Sequence, residues 1–418
     1  MKNPLACYLV GGAVRDRLLG ISSKDLDWVV VGSSPEEMLS QGFKQVGSDF
    51  PVFLHPESNQ EYALARTERK QGHGYQGFKC NSAPSVTLEE DLLRRDLTIN
   101  AIAQGSDGKL FDPYGGEVDI QNRVLRHVSL AFREDPLRIL RLARFAARFE
   151  HLGFKIADET KQLCARMVLD GEVEHLTPER VWQETQRALE EKSPSVYFEF
   201  LKSIDCMKVL FPELDALFGV PQPEQHHPEI DCGIHAYLSL KQAAQLSDLA
   251  EVRFAALVHD CGKALTPEHQ WPKHHGHETT GLPAIKAMCK RIKAPKAYQD
   301  LALLVCEYHT HIHRAFELRS NTVVKVLKSC DAFRRPERFE HILLCSTADA
   351  RGRTGFEHSA YTQADYFRQA LSICNAIDIA EIRNSGFEGK ALGDKIDQVR
   401  ASRIKSQLKG KDTYHADH

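Results

Sequence analysis

Three groups of side chains in this sequence could do chemistry. The first lies near the start, where Gly11-Gly12-Ala13-Val14-Arg15-Asp16 is followed by Asp25-Leu26-Asp27 at the edge of an apolar stretch. Two glycines allow a tight turn from a short strand, Tyr8-Leu9-Val10, into a helix that Gly20 ends. Such a turn aims backbone N–H groups at one spot, which suits phosphate oxygens, and Arg15 adds a charged fork. Asp25 and Asp27 precede Trp28-Val29-Val30-Val31, so on an extended strand both carboxylates leave the same face. Two anions held together need cations. A pair of Mg²⁺ ions about 3.5–4 Å apart would clamp the attacking and leaving oxygens of an in-line phosphoryl displacement. An isolated Asp-x-Asp is more often an acidic strand face; the Gly-Gly turn directly upstream turns the reading toward nucleotidyl transfer.

The second group begins at Glu134-Asp135-Pro136-Leu137-Arg138, which opens a helix carrying Arg138, Arg141, Arg144 and Arg148 on one stripe. Leu137, Leu140, Leu142 and Phe145 cover its apolar side. Arginine stripes are commonly solvated faces with acids one turn away. Few acids follow Asp135 on this helix, so its charge is expected to serve an external anion such as a nucleotide or RNA phosphates. Asp135 and Arg138 suggest a sharper role. Cytosine and adenine share an exocyclic amino donor beside a ring-nitrogen acceptor, whereas uracil and guanine place a carbonyl and an N–H there. A carboxylate accepting from the amino group, with an arginine donating to the ring nitrogen, would admit C and A and reject U and G.

These motifs need elements to hold them. The chain has 418 residues, of which 42% are hydrophobic, so it exceeds one ordinary core and two to four domains are expected. A net charge of −3 argues against an indiscriminate nucleic-acid coat. No apolar run reaches the length of a membrane span and no signal-peptide pattern opens the chain, so a cytoplasmic protein is expected. The eleven cysteines are scattered without a C-x-x-C pair and read as buried small hydrophobes. The first part alternates strands and helices: Ser34-Pro35-Glu36-Glu37 is a capping box, and Gln45-Val46-Gly47, Val52-Phe53-Leu54 and Glu61-Tyr62-Ala63-Leu64-Ala65 read as strands. Glu61 is a candidate third metal-binding carboxylate, although a solvent-facing strand glutamate is the simpler account. Gln71 to Pro84 reads as a loop, and helices dominate from about Leu88. Thr177-Pro178-Glu179-Arg180 starts a helix, and Pro221-Gln222-Pro223 is expected to be a linker.

The ordered set Gly-Gly-Ala-Val-Arg-Asp, Asp-x-Asp, Arg94-Arg95-Asp96, Asp112-Pro113-Tyr114-x-Gly116 and Glu-Asp-x-x-Arg resembles bacterial class II CCA-adding enzymes, which are tRNA nucleotidyltransferases. The resemblance spans Tyr8 to about Gly355. It implies an α+β fold: a small head similar to the DNA polymerase β catalytic domain, followed by a mainly helical neck and body. It also implies that Gly12 and Arg15 bind the incoming nucleotide and that Asp25 and Asp27 hold Mg²⁺. Arg95 would sit near ribose and triphosphate, Asp135 and Arg138 would read the base edge, and Arg141 and Arg144 would support the nucleotide. The partners implied are tRNA, CTP and ATP, with no membrane, for a monomer or weak homo-oligomer.

The third group is histidine-rich. Twenty histidines occur in the chain, crowded between His226 and His313, with His235, His259-Asp260-Cys261-Gly262-Lys263, His274-His275-Gly276-His277, His309 and Asp349 in order. Histidine and aspartate on separate helices can converge in a bundle core on one metal. A lone core histidine is generally structural; the ordered series argues for a site. It resembles the HD metal-dependent phosphohydrolase superfamily, with Cys261 where a larger apolar residue is common. His235, His259 and Asp260 are the first-rank ligands, His277, His309 and Asp349 the second, and His274, His275, His311 and His313 are expected at the rim or surface. Imidazole with carboxylate suits Ni²⁺, Co²⁺ or Mn²⁺. Such a centre activates water against phosphate esters, and the resemblance implies 2′,3′-cyclic phosphodiesterase, 2′-nucleotidase and phosphatase activities.

The expected layout is a head over 1–140, a helical neck and body over 141–225, an HD-type domain over 226–360 and a helical tail over 361–418. Two other functions fit parts of the pattern. A bacterial poly(A) polymerase would share the head but not the histidines, and an RNA-binding scaffold with an inactive head would not need Asp25, Asp27, Asp135 and Arg138.

Overall fold

The computed structural model describes residues 5–22, 26–47, 52–70 and 78–408. Asp25 and residues 71–77 of the expected loop lie outside them. The chain forms two compact units, Met1–Leu210 and Phe211–His418. The architecture is α+β, with every strand among the described residues in the first unit.

The first unit opens with β1 (Ala6–Val10), α1 (Gly12–Leu18), β2 (Asp27–Val31), α2 (Pro35–Ser40), β3 (Lys44–Val46), β4 (Val52–Leu54) and β5 (Glu61–Leu64). Strands β6 (Thr67–Lys70) and β7 (Phe78–Asn81) pair as a hairpin, and α3 (Leu88–Leu93) precedes β8 (Ala103–Gly105) and β9 (Leu110–Phe111). Seven of these strands make one sheet in the order β3-β4-β5-β2-β1-β8-β9, in which β2 and β5 run parallel. Strand alternation sends Val10, Val29 and Ala103 to one face, where they meet Leu88 and Leu92. Val30, Leu64 and Phe53 go to the other, against Met38 and Phe43. Met38 and Phe53 are fully buried, each contributing roughly 1.5–3 kcal/mol by leaving water.

Ser34 caps α2 by accepting from the Glu37 N–H, while the Glu37 carboxylate accepts from Ser33 rather than returning to Ser34, so the expected box is half formed. Helix α4 (Gly116–Asn122) begins where Asp112 accepts the N–H groups of Gly116 and Glu117 at 2.8 Å. Gly116 is obligatory there, because a Cβ would stand 2.3 Å from the Thr98 carbonyl oxygen. Strand β10 (Val124–Leu125) pairs in parallel with β11 (Lys155–Ile156). Helix α5 (Leu137–Phe149) lies between them in sequence, and α6 (Asp158–Leu169), α7 (Pro178–Glu190), α8 (Ser195–Ser203) and α9 (Cys206–Leu210) complete the unit. Helix α5 packs on both α7 and α8. Thr177 stands at the N-cap of α7, but its side chain makes no capping bond.

The second unit is helical: α10 (Pro212–Asp215), α11 (Cys232–Leu246), α12 (Ala250–Val258), α13 (His277–Ile292), α14 (Lys296–His313), α15 (Ser320–Ser329), α16 (Pro336–Arg351), α17 (Thr362–Asn375), α18 (Ile379–Asn384) and α19 (Gly389–Gln407). Helices α11, α12, α14 and α16 pack on one another around a common core, and α13 packs on α14. Pro221-Gln222-Pro223 is not a loose linker. Pro221 bridges to Asp231, the Gln222 N–H bonds the Ile230 carbonyl, and Gln222 is buried. The stretch folds back on itself immediately before α11, whose Cys232 N–H bonds the Val220 carbonyl.

No described helix is long and apolar enough to cross a membrane. Of the ten cysteines whose side chains are described, nine are buried, and there is no disulfide among them, in keeping with small hydrophobes.

Candidate functional site

In the first unit, a cavity of about 770 Å³ opens beside the Gly11-Gly12 turn. Ten arginines line it, Arg15, Arg66, Arg94, Arg95, Arg138, Arg141, Arg144, Arg148, Arg180 and Arg187, against three aspartates, Asp27, Asp96 and Asp135. That imbalance favours a polyanion.

The sheet places the turn and the acid together. Val10, the residue before the glycines, pairs across β1 and β2 with Asp27, and Asp27 in turn lies in register with Glu61. Gly11 has φ +68° and Arg95 Nη1 sits 3.0 Å from where a Cβ would be, so glycine admits the guanidinium to the turn. Asp27 and Glu61 are exposed.

The arginines are held by acids from other elements. Buried Arg15 donates to Asp16 at 2.8 Å and lies over the rings of both Phe145 and Phe149. Arg94 and Arg95 share Asp91, at 2.7 and 3.1 Å. Arg141 donates to buried Asp96 at 2.8 Å, Arg144 to Glu184 at 2.7 Å and Arg148 to Asp16 at 3.0 Å. Burial alone would raise the Asp96 pKa, but Arg141 and Asn100 outweigh it and hold the carboxyl well below the usual range. The expected surplus of charge on the stripe is therefore corrected. Its partners stand far away in sequence on α1, α7 and the turn after α3, where i±4 counting along one helix does not find them.

Asp135 and Arg138 both line the cavity but do not pair through their side chains. Arg138 donates to the carbonyls of Ala131 and Arg94, at 2.7 and 2.6 Å. Asp135 instead receives both ends of Arg180, at 3.2 and 2.7 Å. Arg180, Arg187 and Glu184 were visible in the sequence only as parts of a helix and its start. Nothing in their local spacing ties them to Asp135 or Arg144.

The second unit holds a different site. His235 lies on the first turn of α11, His259 and Asp260 just after α12, His277 at the start of α13, His309 and His313 one turn apart on α14, and Asp349 on α16. Tight contacts draw these segments together. A Cβ on Gly262 would stand 2.0 Å from the His277 carbonyl oxygen, so the turn after Asp260 can meet α13 only with glycine.

Each imidazole is oriented through Nδ1: His259 to the Ala256 carbonyl at 2.8 Å, His277 to the His274 carbonyl at 2.9 Å, His309 to the Cys306 carbonyl at 2.9 Å. His235 Nδ1 faces Glu229 at 2.9 Å and the Gly352 carbonyl at 3.2 Å. A proton on Nδ1 leaves the Nε2 lone pair pointing inward. The Nε2 atoms converge on two carboxylates. Asp349 reaches His235 at 2.9 Å and His259 at 3.4 Å; Asp260 reaches His259 at 3.2 Å, His277 at 3.3 Å and His309 at 3.5 Å. The two oxygens of Asp260 divide their neighbours: Oδ1 faces His277 and His309, Oδ2 faces His259 and Lys263. His259 Nε2 and Asp260 Oδ1 are buried without a hydrogen-bond partner. Orphaned inward-facing donor atoms of this kind are what a cation would satisfy. All six ranked candidates thus stand in one cluster.

Electrostatics point the same way. Burial disfavours charge on His259, yet Asp260 and Asp349 outweigh it and push its pKa up to about 10. Burial opposes ionisation of Asp260 and Asp349 too, and the facing imidazoles still hold both well below the usual range.

Of the expected rim residues, His274 is placed otherwise, whereas His313 is half-buried at the edge of the cluster. His274 is buried, bonding Thr266 at 2.6 Å and the Pro221 carbonyl at 2.7 Å. His313 reaches Asp349 at 2.7 Å while Tyr361 holds its other nitrogen at 2.7 Å. The i,i+4 spacing of His309 and His313 carried that signal. Glu229 and Tyr361 could not be found from spacing.

Residues 7–126 match the poly A polymerase head domain, residues 153–218 the probable RNA and SrmB-binding site of polymerase A, and residues 233–335 the HD domain. The chain is 58% identical over 398 residues to the multifunctional CCA protein of Hahella chejuensis, covering 95% of this chain and 94% of that one. It is 57% identical over 402 residues to that of Thioalkalivibrio sulfidiphilus, covering 96% and 98%. Among solved structures it is similar in fold to the Thermotoga maritima CCA-adding enzyme complexed with tRNA, with a TM-score of 0.62 at 22% identity over 96% of this chain and 88% of that one. A CCA-adding enzyme in complex with CTP gives 0.63, also at 22% identity, over 96% and 87%.

Proposed function

The chain belongs to the multifunctional CCA protein family, and on that premise we propose that its first unit adds C, C and A to the 3′ end of tRNA from CTP and ATP without a nucleic-acid template. The observation that carries this reading is the cavity of ten arginines and three aspartates built around the Gly11-Gly12 turn. Arg15, Arg95, Arg141 and Arg144 are preorganised by their acids, so a triphosphate meets donors already aimed at it. Gly12 lets the backbone approach the phosphates, and Asp135 with Arg138 reads the base edge. Asp25 and Asp27 would hold Mg²⁺, whose hard-oxygen preference suits carboxylates beside a phosphate cleft. When bound, the ions would align the attacking tRNA hydroxyl and the leaving pyrophosphate oxygen.

We further propose that the second unit hydrolyses phosphate esters, 2′,3′-cyclic phosphates among them. His235, His259, Asp260, His277, His309 and Asp349 would hold a transition metal such as Ni²⁺, Co²⁺ or Mn²⁺, which when bound would activate water. Lys263, buried at 2.6 Å from Asp260, places a fixed positive charge beside the carboxylate.

The test of the first activity offers tRNA lacking its 3′ end with CTP and ATP, separately and together. Ordered incorporation ending in A is expected, and Asp25→Ala is expected to abolish incorporation of both nucleotides. Runs of A from ATP alone, without use of CTP, would replace the reading with poly(A) synthesis. For the second, metal-reconstituted protein is assayed on a 2′,3′-cyclic nucleotide, and full hydrolysis by His259→Ala would sink the assignment.

A further inference from the structure

We propose that Arg180 is a positioning residue that sets nucleotide specificity, and that its ion pair with Asp135 also keeps its guanidinium away from carbonyl-bearing bases. The inference rests on the reading of Asp135 as the carboxylate that accepts the amino group of C or A.

An ionised carboxylate offers about four acceptor positions. On Asp135, Arg180 Nη1 takes one on Oδ1 at 3.2 Å, Arg180 Nη2 one on Oδ2 at 2.7 Å, and the Leu137 N–H another on Oδ1 at 3.1 Å. That leaves room for one more donor, which an exocyclic amino group supplies. Two parallel N–H···O bonds also fix the plane of the carboxylate, as a single bond does not. Arg138 instead donates through Nη1 and Nη2 to the carbonyls of Ala131 and Arg94, which use two of its five N–H groups.

The second half of the inference concerns what Arg180 would do if released. Arg180 lines the same cavity as Asp135. A guanidinium beside a base edge is a natural partner for guanine O6 and N7, and its donors suit uracil O4 equally. Paired with Asp135, it presents those donors to the carboxylate rather than to the base. Helix α7 carries Arg180, and α5 packs directly against α7, so the pair is held by helix packing as well as charge.

Incorporation of single nucleotides into tRNA lacking its 3′ end is measured for the wild type, Arg180→Ala, Arg180→Lys, Asp135→Ala and the Asp135→Ala/Arg180→Ala double variant, with thermal unfolding as the folding control. Arg180→Ala is expected to lower the CTP-over-UTP ratio of kcat/KM about tenfold or more, chiefly through a higher KM for CTP. Arg180→Lys retains the charge without the fork and falls between. Asp135→Ala is expected to gain UTP and GTP incorporation that the double variant loses, because the released guanidinium is what accepts those bases. An unchanged CTP-over-UTP ratio in Arg180→Ala, or equal UTP use by Asp135→Ala and the double variant, overturns the proposal. If Arg180→Ala does not fold, Arg180→Lys and Arg180→Gln carry the same measurement. Failure of the wild type to incorporate CMP at all would reject the nucleotidyl-transfer reading itself, a result distinct from either.

Discussion

The arginine cleft of the first unit and the histidine cluster of the second solve opposite problems with the same tool. Both hold like charges or lone pairs at close quarters and restrain them with partners from distant segments. In the cleft the working groups carry a permanent charge, and the partners are carboxylates that fix guanidinium forks without emptying the cavity of positive potential. In the cluster the working groups titrate, and the partners are mostly backbone carbonyls that choose the imidazole tautomer. A site for a large polyanion stays open and permanently charged. The cluster proposed to hold a compact cation is buried and can give up its protons.

The contrast fails most visibly if the two sites are not independent. If Asp27 holds Mg²⁺ as proposed, Asp27→Ala is expected to lower CMP and AMP incorporation by on the order of 10³-fold or more, since its loss removes several kcal/mol of transition-state stabilisation. Hydrolysis of cyclic phosphate by the same variant should stay at the wild-type rate, and a matching fall in both would show one shared machinery. His259→Ala mirrors it: metal content measured by elemental analysis should drop to background and hydrolysis with it, with tRNA end addition intact.

A smaller effect tests whether the cleft depends on its buried acids. Asp96 is buried and accepts from Arg141, Asn100 and its neighbour Leu97. Asp96→Ala strands these donors and is expected to cost about 3 kcal/mol in urea denaturation. A variant as stable as the wild type would show that the arginines hold themselves.

A pH titration separates permanent from titrating charge. In the metal-free protein the His259 pKa is raised to about 10, so its proton stabilises the fold below the ordinary imidazole pKa, and this contribution is lost as pH rises through about 10. A metal must displace that proton, so apparent affinity for Ni²⁺ should rise about tenfold per pH unit between pH 6.5 and 9 for each proton released. Nucleotide affinity of the cleft, set by arginines, should not follow that slope. A flat metal titration would remove the protonated-cluster picture.

How much of this was legible beforehand follows the range of the interactions. Helix α1, the strand after Asp25, the half-formed cap at Ser34 and the stripe on α5 come from spacings of two to four residues, which the chain carries locally. The two prolines of 221–223 predict a linker because proline marks turns wherever it stands, and only pairing with residues 230–231 shows that this turn is packed.

The sequence alone determined the parts: a Gly-Gly turn before an acidic strand, a helix with arginines on one stripe, and an ordered series of histidines and aspartates. It determined these because residue type and local period decide backbone conformation and the chemistry a side chain can offer. Which groups face one another was decided only by the tertiary structure. Asp135 meets Arg180 from 45 residues away, Asp16 meets Arg148 from 132, and His235 meets Asp349 from 114. Packing of separate helices sets those encounters, and no periodicity along the chain encodes them.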